Sequence, residues 1–197
     1  YYTGTIEFAP NLSWGHNGIV PLAKMFSDKL GIPVALTNDA NAAAIGEMTY
    51  GVARGMKNFI VITLGTGVGS GIVINGQLVY GSDGFAGELG HVIITSLDVS
   101  IAASKGDALA KRIYEFTGNM LGEACADFAA FSSPEAFIFF GGLTKAGALL
   151  MDPIKKAYEE NVLNIFKGKA KFLVSGLDGS SAAVLGASAV GWDINEE

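Results

Sequence analysis

Short apolar runs recur along the chain: Phe59 to Leu64 (FIVITL), Glu135 to Phe140 (EAFIFF) and Lys171 to Val174 (KFLV). Runs of this length, bounded by glycine, proline or polar residues, predict strands. Ile32 to Leu36 (IPVAL) predicts one more, short and buried, and Tyr1 to Phe8 suits a strand or an extended segment. Between them the period changes. Ile19, Leu22, Ala23, Phe26 and Leu30 recur at three and four residues, predicting an amphipathic helix over 17–30 that Gly31 ends. Helices are likewise expected from Asn41 to Thr49, from about Leu109 to Phe131, from about Ala146 to Leu163 and from Ser181 to Trp192. In the longest of these the apolar stripe Leu109, Ile113, Phe116, Met120, Leu121, Ala124, Cys125 and Phe128 reads as core.

Turn chemistry adds detail around the first of the strong strands. Asn75-Gly76 separates Gly71-Ile72-Val73-Ile74 from Gln77-Leu78-Val79-Tyr80, and both turn residues tolerate the positive φ of a type I′ hairpin. The glycine loop from Gly65 to Gly71 (GTGVGSG) therefore joins neighbouring strands. A Walker A loop would need Gly-Lys-Ser/Thr opening a helix, and the dinucleotide fingerprint also opens a helix, so neither applies. Backbone amides at Gly65, Gly67 and Gly69, with the Thr66 hydroxyl, could still bind phosphate, although a wide hairpin turn explains the same glycines.

Candidate chemistry gathers at two further places. Leu36-Thr37-Asn38-Asp39-Ala40-Asn41 joins a predicted strand to an alanine-rich helix, which sets a carboxylate and two carboxamides beside the free amides of a helix N-terminus. Such a corner can hold a small polar ligand, or Asn38, Asp39 or Asn41 can simply cap the helix. Gly87-Glu88-Leu89-Gly90-His91 places Glu88 and His91 three apart, able to bond sugar-like hydroxyls or to share a metal. His16, in a loop beside Trp14 and Gly15, reads as a solvated or capping residue.

Composition narrows the classes. With 197 residues, 50% of them hydrophobic and 16% charged, the chain can bury a sizeable core. Its 27 glycines follow no period, which excludes a collagen-like repeat. A net charge of −6 and a pI near 4.9 leave no basic footprint for duplex DNA or an anionic membrane, so no nucleic acid and no membrane partner is expected. Lys155, Lys156, Lys167, Lys169 and Lys171 have acidic neighbours in Glu159 and Glu160 and read as a solvated face. One cysteine, Cys125, cannot form an internal disulfide, and no apolar run approaches the roughly eighteen residues of a membrane span. A cytoplasmic location fits these features.

Taken in order, Asn38-Asp39-Ala40-Asn41-Ala42-Ala43-Ala44-Ile45-Gly46-Glu47, Leu64-Gly65-Thr66-Gly67-Val68-Gly69, Gly87-Glu88-Leu89-Gly90-His91, Phe140-Gly141-Gly142 and Gly186-Ala187-Ser188-Ala189 resemble the ROK family (repressor, open reading frame, kinase), more narrowly its bacterial glucokinase and hexokinase branch. The resemblance covers nearly the whole chain. It implies an α/β chain with the actin-like ATPase (ribonuclease H-like) fold of two-lobed sugar kinases, in which ATP and sugar meet between lobes. Residues 1–55 with 182–197 would be the remainder of the small N-terminal lobe, and 56–181 the large C-terminal lobe. Asp39 would be the catalytic base of ATP- and Mg²⁺-dependent hexose phosphorylation, with glucose the first candidate. Asn38, Glu88 and His91 match the family's sugar-binding positions; Gly65, Thr66 and Gly67 its second phosphate loop; and Gly141, Gly142 and Leu143 the segment against which adenosine sits. A homodimer is common in the family.

Two departures accompany the match. The family's Asp-x-Gly-Gly-Thr phosphate motif does not precede Tyr1, so an N-terminal portion is expected to be absent from these residues. The family's Cys-x-Cys-Gly-x-x-Gly-Cys-x-Glu is also absent after His91, where three thiolates and that histidine would form a zinc site. From Asp98 to Asp107 the text resembles a segment found further downstream, so an internal stretch is expected to be missing between about Ile94 and Asp98. Zn²⁺ thus stays an expectation resting on His91 alone. A sugar-responsive repressor of the same family, a kinase of N-acetylglucosamine or mannose, and a non-enzymatic sugar-binding fragment are the alternatives.

Overall fold

A computed structural model of the chain describes residues 3–7, 18–65, 67–88, 108–177 and 181–193, the side chains of 181, 192 and 193 excepted. Its centre is a five-stranded sheet in the order β3-β2-β1-β4-β5, formed by β1 (Phe59–Leu64), β2 (Val68–Ile74), β3 (Gln77–Leu78), β4 (Ala136–Phe140) and β5 (Lys171–Val174). β1, β2 and β3 form an antiparallel meander, whereas β4 and β5 run parallel to β1. Asn75 (φ 55°) and Gly76 (φ 77°) make the expected hairpin.

β1 is apolar throughout because both of its faces are covered, and side chains alternate between them. Ile60, Ile62 and Leu64 join Phe137 and Phe139 under α3 (Ala108–Ser132) and α4 (Ala148–Asn161). Phe59, Val61, Val73 and Ile138 face the other way, with Ala43 and Ala44 of α2 (Asp39–Thr49). α5 (Ser181–Asp193) packs across α2. Burial pushes the Cys125 thiol up and keeps it protonated.

Backbone contact decides how α2 sits. A Cβ on Gly71 would lie 2.6 Å from Ala44 Cβ, and one on Gly69 3.2 Å from Ala40 Cβ, so the helix lies directly on the glycines of β2. On its other side a Cβ at Gly186 would overlap the Ala42 carbonyl oxygen, and one at Gly46 would come within 2.6 Å of the Ala182 oxygen. Side chains at these positions would drive the layers apart.

Several sequence expectations need correction. Ile32 to Leu36 forms no strand: Ile32 is 57% exposed, Pro33 lacks an amide donor, and the sheet holds no position beside it. Only an extended segment therefore feeds α2. α1 runs from Leu22 to Leu30, not from Asn17, because Val20 is held in an antiparallel bridge with Ile6 and Pro21 precedes the first turn. Gly31 (φ 71°) ends it as expected. Of the stripe assigned to the core of α3, Leu121 and Cys125 are buried but Leu109 and Phe116 are each 66% exposed. The buried face instead runs through Ala110, Tyr114, Thr117 and Gly118, where Gly118 lets Leu150 and Pro153 of α4 approach closely. The helix expected from Ala146 begins at Ala148, after a 3₁₀ turn over Gly142–Ala146.

Glu135 ties the lower ends of two strands together. Its carboxylate accepts the Lys57 and Asn58 amides at 2.9 and 3.1 Å, and those two bonds hold its pKa below the ordinary 4.5. A depressed carboxyl contributes stability above its unfolded pKa and loses it as pH falls through the lower folded value. Glu135→Gln should therefore flatten the acid-side decline of stability below about pH 4.5, as read from urea midpoints measured across that range.

Candidate active site

Asn38 caps α2: its Oδ1 accepts the Asn41 amide at 2.7 Å, while its own backbone stays extended (φ −81°, ψ 166°). The capping alternative is thus realised by Asn38. Asp39 is the first helical residue, exposed, with Oδ1 accepting the Ala40 amide at 2.8 Å. A carboxylate here is favoured by the positive end of the helix dipole.

Both side chains line a cavity of about 520 Å³ beyond the carboxyl ends of the parallel strands β1 and β4. Ligands of open α/β sheets bind at such ends, where the chain departs to opposite sides. Opposite Asp39 the cavity is walled by Gly65 and Gly67 of the β1–β2 turn and by Gly141 after β4. Gly65 donates its amide to the Gly67 carbonyl at 3.0 Å, which closes the turn tightly. Gly141 must be glycine twice over: φ is 119°, and a Cβ would overlap the Leu64 carbonyl oxygen. Glu88 lines the same cavity. Its loop is anchored one residue earlier, where the Ser70 hydroxyl donates to the Gly87 carbonyl at 2.6 Å and Gly87 adopts φ 93°.

The fold thus gathers Asn38, Asp39, Gly65, Gly67, Glu88 and Gly141 around one space. Gly142 opens the 3₁₀ turn, and Leu143 is buried in the core beneath it, so neither side of that pair faces the cavity wall. Thr66, His91 and His16 lie outside the described residues, as does any zinc site built on His91. Among the described residues no three His, Cys, Asp or Glu side chains gather closely enough to hold a metal ion.

Sequence reasoning missed Thr63, Ser70, Gly87 and Ala183, which also line the cavity. Thr63 Oγ1 accepts the Gly69 amide at 3.1 Å and steadies the turn from below. Thr63 pairs with Gly69 and Ser70 with Ile62 in adjacent rungs of the β1–β2 ladder, so the two side chains leave opposite faces of the sheet at its cavity end, a placement that only the strand register reveals. The division of the glycine run was missed too: Gly69 and Gly71 belong to β2 beneath α2, leaving Gly65 and Gly67 to the turn.

The ROK family model matches residues 2–100 and 94–193, together nearly the whole chain. The chain belongs to the ROK family. Its two matched stretches overlap at 94–100. A glucokinase of Halalkalibacterium halodurans is 32% identical over 246 aligned positions, which take in 99% of this chain and 72% of that protein. The crystal structure of a ROK family glucokinase from Streptomyces griseus, in complex with glucose and AMPPNP, superimposes with a TM-score of 0.81 at 29% identity, covering 97% of this chain and 77% of the other. The actin-like ATPase fold of the ROK sugar kinases is therefore the fold of this chain. The xylose repressor of Caldicellulosiruptor bescii is 41% identical, but over 49% of this chain and 23% of its own length.

Cap and cavity roles of Asn38 can be separated. Asn38→Ala should lower the unfolding free energy by about 1 kcal/mol through loss of the cap, whereas Asn38→Asp, which can accept the same amide, should hold it near the starting value. Urea denaturation of the two variants decides this.

Proposed function

We propose that this ROK chain phosphorylates a hexose with ATP, glucose first among its substrates, and that Asp39 is the general base. That it is a sugar kinase follows from its similarity, over almost all of its length, to the glucokinase of Halalkalibacterium halodurans. The observation that carries the assignment of Asp39 is its position at the N-terminus of α2, in one cavity with the glycine turn Gly65 and Gly67 and with Gly141.

Phosphoryl transfer asks mainly for positioning and charge stabilisation. A hexose hydroxyl lying against Asp39 gives its proton to that carboxylate as its oxygen attacks the γ-phosphorus. The bond from that phosphorus to the β,γ-bridging oxygen breaks, and ADP departs with the electron pair. Negative charge spreading over the transferred group is met by the main chain of the glycine turn at Gly67, where the Gly65 and Gly69 amides are already bonded within the turn, and by the positive end of the α2 dipole. Glycines at 65 and 67 have nothing within 4 Å of a would-be Cβ, so phosphate oxygens can come close to the main chain. Mg²⁺ would arrive with ATP, held by its phosphates and by one carboxylate, of which the cavity offers Asp39 and Glu88. When bound it neutralises charge on the β- and γ-phosphates.

On the sugar side, Asn38 offers a donor and Glu88 an acceptor, joined by His91 in the family match, while Thr66 stays with the phosphate turn. Paired hydroxyl recognition makes selection strict, since a substrate that leaves a buried partner unpaired is rejected by roughly ten thousand-fold. Gly142 and Leu143 take the adenosine side with Gly141. A cytoplasmic homodimer completes this reading, on the family resemblance alone; among the described residues no helix is long and apolar enough to cross a membrane.

ADP release by the full-length protein, assayed with glucose, mannose and N-acetylglucosamine, should be fastest with glucose. ADP release with none of the three would overturn the kinase reading in favour of a sugar-responsive regulator. Asp39→Asn should retain glucose binding while kcat falls by roughly a hundred- to ten-thousand-fold, the usual range for a lost general base. A variant with near-normal kcat removes Asp39 from that role.

A further inference from the structure

Eight residues beyond Asp39 on the same helix lies Glu47, a carboxylate with no exposed surface at all. Burying an ionised group is expensive unless other groups bond to it, and this one is bonded from two different parts of the chain. Oε1 accepts the Ser175 hydroxyl, which follows the last residue of β5. Oε2 accepts the Val52 amide at 2.9 Å, in the turn that follows α2. Ser175 is itself fixed: its amide donates to Phe139 of β4 at 2.9 Å, and its Oγ accepts the Leu177 amide at 3.1 Å. Gly51 leaves the space that the carboxylate fills, since a Cβ there would overlap Oε2.

The rest of α2 supplies few features that could hold it along its axis. Its buried residues besides Glu47 are Ala40, Ala42, Ala43, Ala44, Gly46 and Asn41. Methyl groups and bare backbone allow close approach to β2 and α5, but they form a shallow relief over which a helix can slide by a fraction of a turn. Hydrogen bonds to a side chain of fixed reach do not slide. The Asp39 carboxylate stands about 12 Å from Glu47 along the helix, and a helix transmits an axial shift along its length undiminished.

We propose that Glu47 is a positioning residue, pinning α2 to the end of β5 and so setting the height of Asn38 and Asp39 in the cavity. The glycine turn and Gly141 belong to β1, β2 and β4, which the pin leaves in place. Its loss therefore shifts the acid and the sugar contacts against a phosphate site that stays put. This inference rests on the hexose-kinase reading above.

Length and charge make opposite demands at this position, which gives the test. Glu47→Gln keeps the reach: its carbonyl oxygen can accept the Val52 amide, and its NH₂ can donate to Ser175 Oγ. Glu47→Asp keeps the charge but is one methylene short, so α2 must move to restore the bonds. Misplacement of about 1 Å at a reacting group can cost on the order of a hundredfold in rate. Expected in the full-length enzyme is a kcat within about threefold of wild type for Glu47→Gln and a fall of roughly ten- to a hundredfold for Glu47→Asp, with hexose KM raised and ATP KM unchanged. The reverse order, with Glu47→Asp active and Glu47→Gln not, would overturn the proposal and show that the buried charge matters rather than its reach.

Hydrogen exchange supplies a readout independent of turnover. In Ser175→Ala, amides 41–45 of α2 should exchange at least about tenfold faster while those of β1 and β4 keep their protection. Exchange unchanged in α2, or accelerated equally in the strands, would likewise overturn the pin. If wild type releases no ADP with any hexose, the kinase reading fails, and the exchange result alone decides whether Glu47 holds the helix.

Discussion

Everything in the site depends on how closely α2 is laid onto the face of β2. Helix and strand approach until Ala40 and Ala44 methyls occupy the space that side chains at Gly69 and Gly71 would have taken. The same helix meets α5 through Gly46 and Gly186 at backbone distance. Ordinary helix packing holds axes about 8–10 Å apart because side chains interleave. Removing them from strand and helices alike brings the first turn of α2 to the mouth of the β1–β2 turn, where Asp39 and Gly67 can share a cavity. A larger residue at any of these contacts would part the layers and widen the gap between acid and phosphate bed.

That cavity draws on three independent pieces of backbone. α2 delivers Asn38 and Asp39 at its N-terminus, the β1–β2 turn brings Gly65 and Gly67, and the departure of β4 into its 3₁₀ turn brings Gly141. Main-chain groups are well suited to a reaction whose charge is spread over several oxygens, because they are already oriented and need no reorganisation. The remaining requirement is mutual placement. Rigidity comes from the face of the sheet opposite α2, where Phe137, Tyr158 and Phe172 pack with ring centroids 4.9 to 5.9 Å apart and hold β4, β5 and α4 together.

How much of this was legible in the sequence follows from how local each cause is. β1 and β5 were readable to the residue, β4 nearly so, and the Asn75-Gly76 turn as well, because continuous apolar runs and positive-φ pairs announce themselves without a partner. Ile32 to Leu36 carried the same composition but, among the described residues, no neighbouring strand to bond with, and strand formation is a property of pairs. On α3 an apolar count favoured Leu109 and Phe116, yet the buried face is one of small and polar residues, chosen because α4 crosses at Gly118 and Gly122. At the site, Asn38, Asp39, Glu88 and the turn glycines were recognisable from motif order. Thr63 and Ser70 were not, since they enter only through the β1–β2 register, and the assignment of Gly69 and Gly71 to helix packing needed the helix in place.

The two polar residues sealed under α2 show how such a helix can be both closely packed and fixed. Asn41, with no exposed surface, has neither side-chain amide atom bonded among the described residues, a condition that typically costs about 1–3 kcal/mol for each buried group left without a partner. It therefore adds no hold on the helix through its side chain and works against burial. Glu47 carries the larger desolvation penalty, yet both of its oxygens are met, one from a strand end and one from the following turn. Placed on a surface otherwise made of alanine and glycine, the satisfied carboxylate is the feature with direction. Contacts of methyl groups with backbone are non-directional and can be remade in a neighbouring position, whereas a hydrogen bond weakens steeply once its geometry is lost. Close approach is thus the work of the small residues, and axial position is the work of the one buried acid.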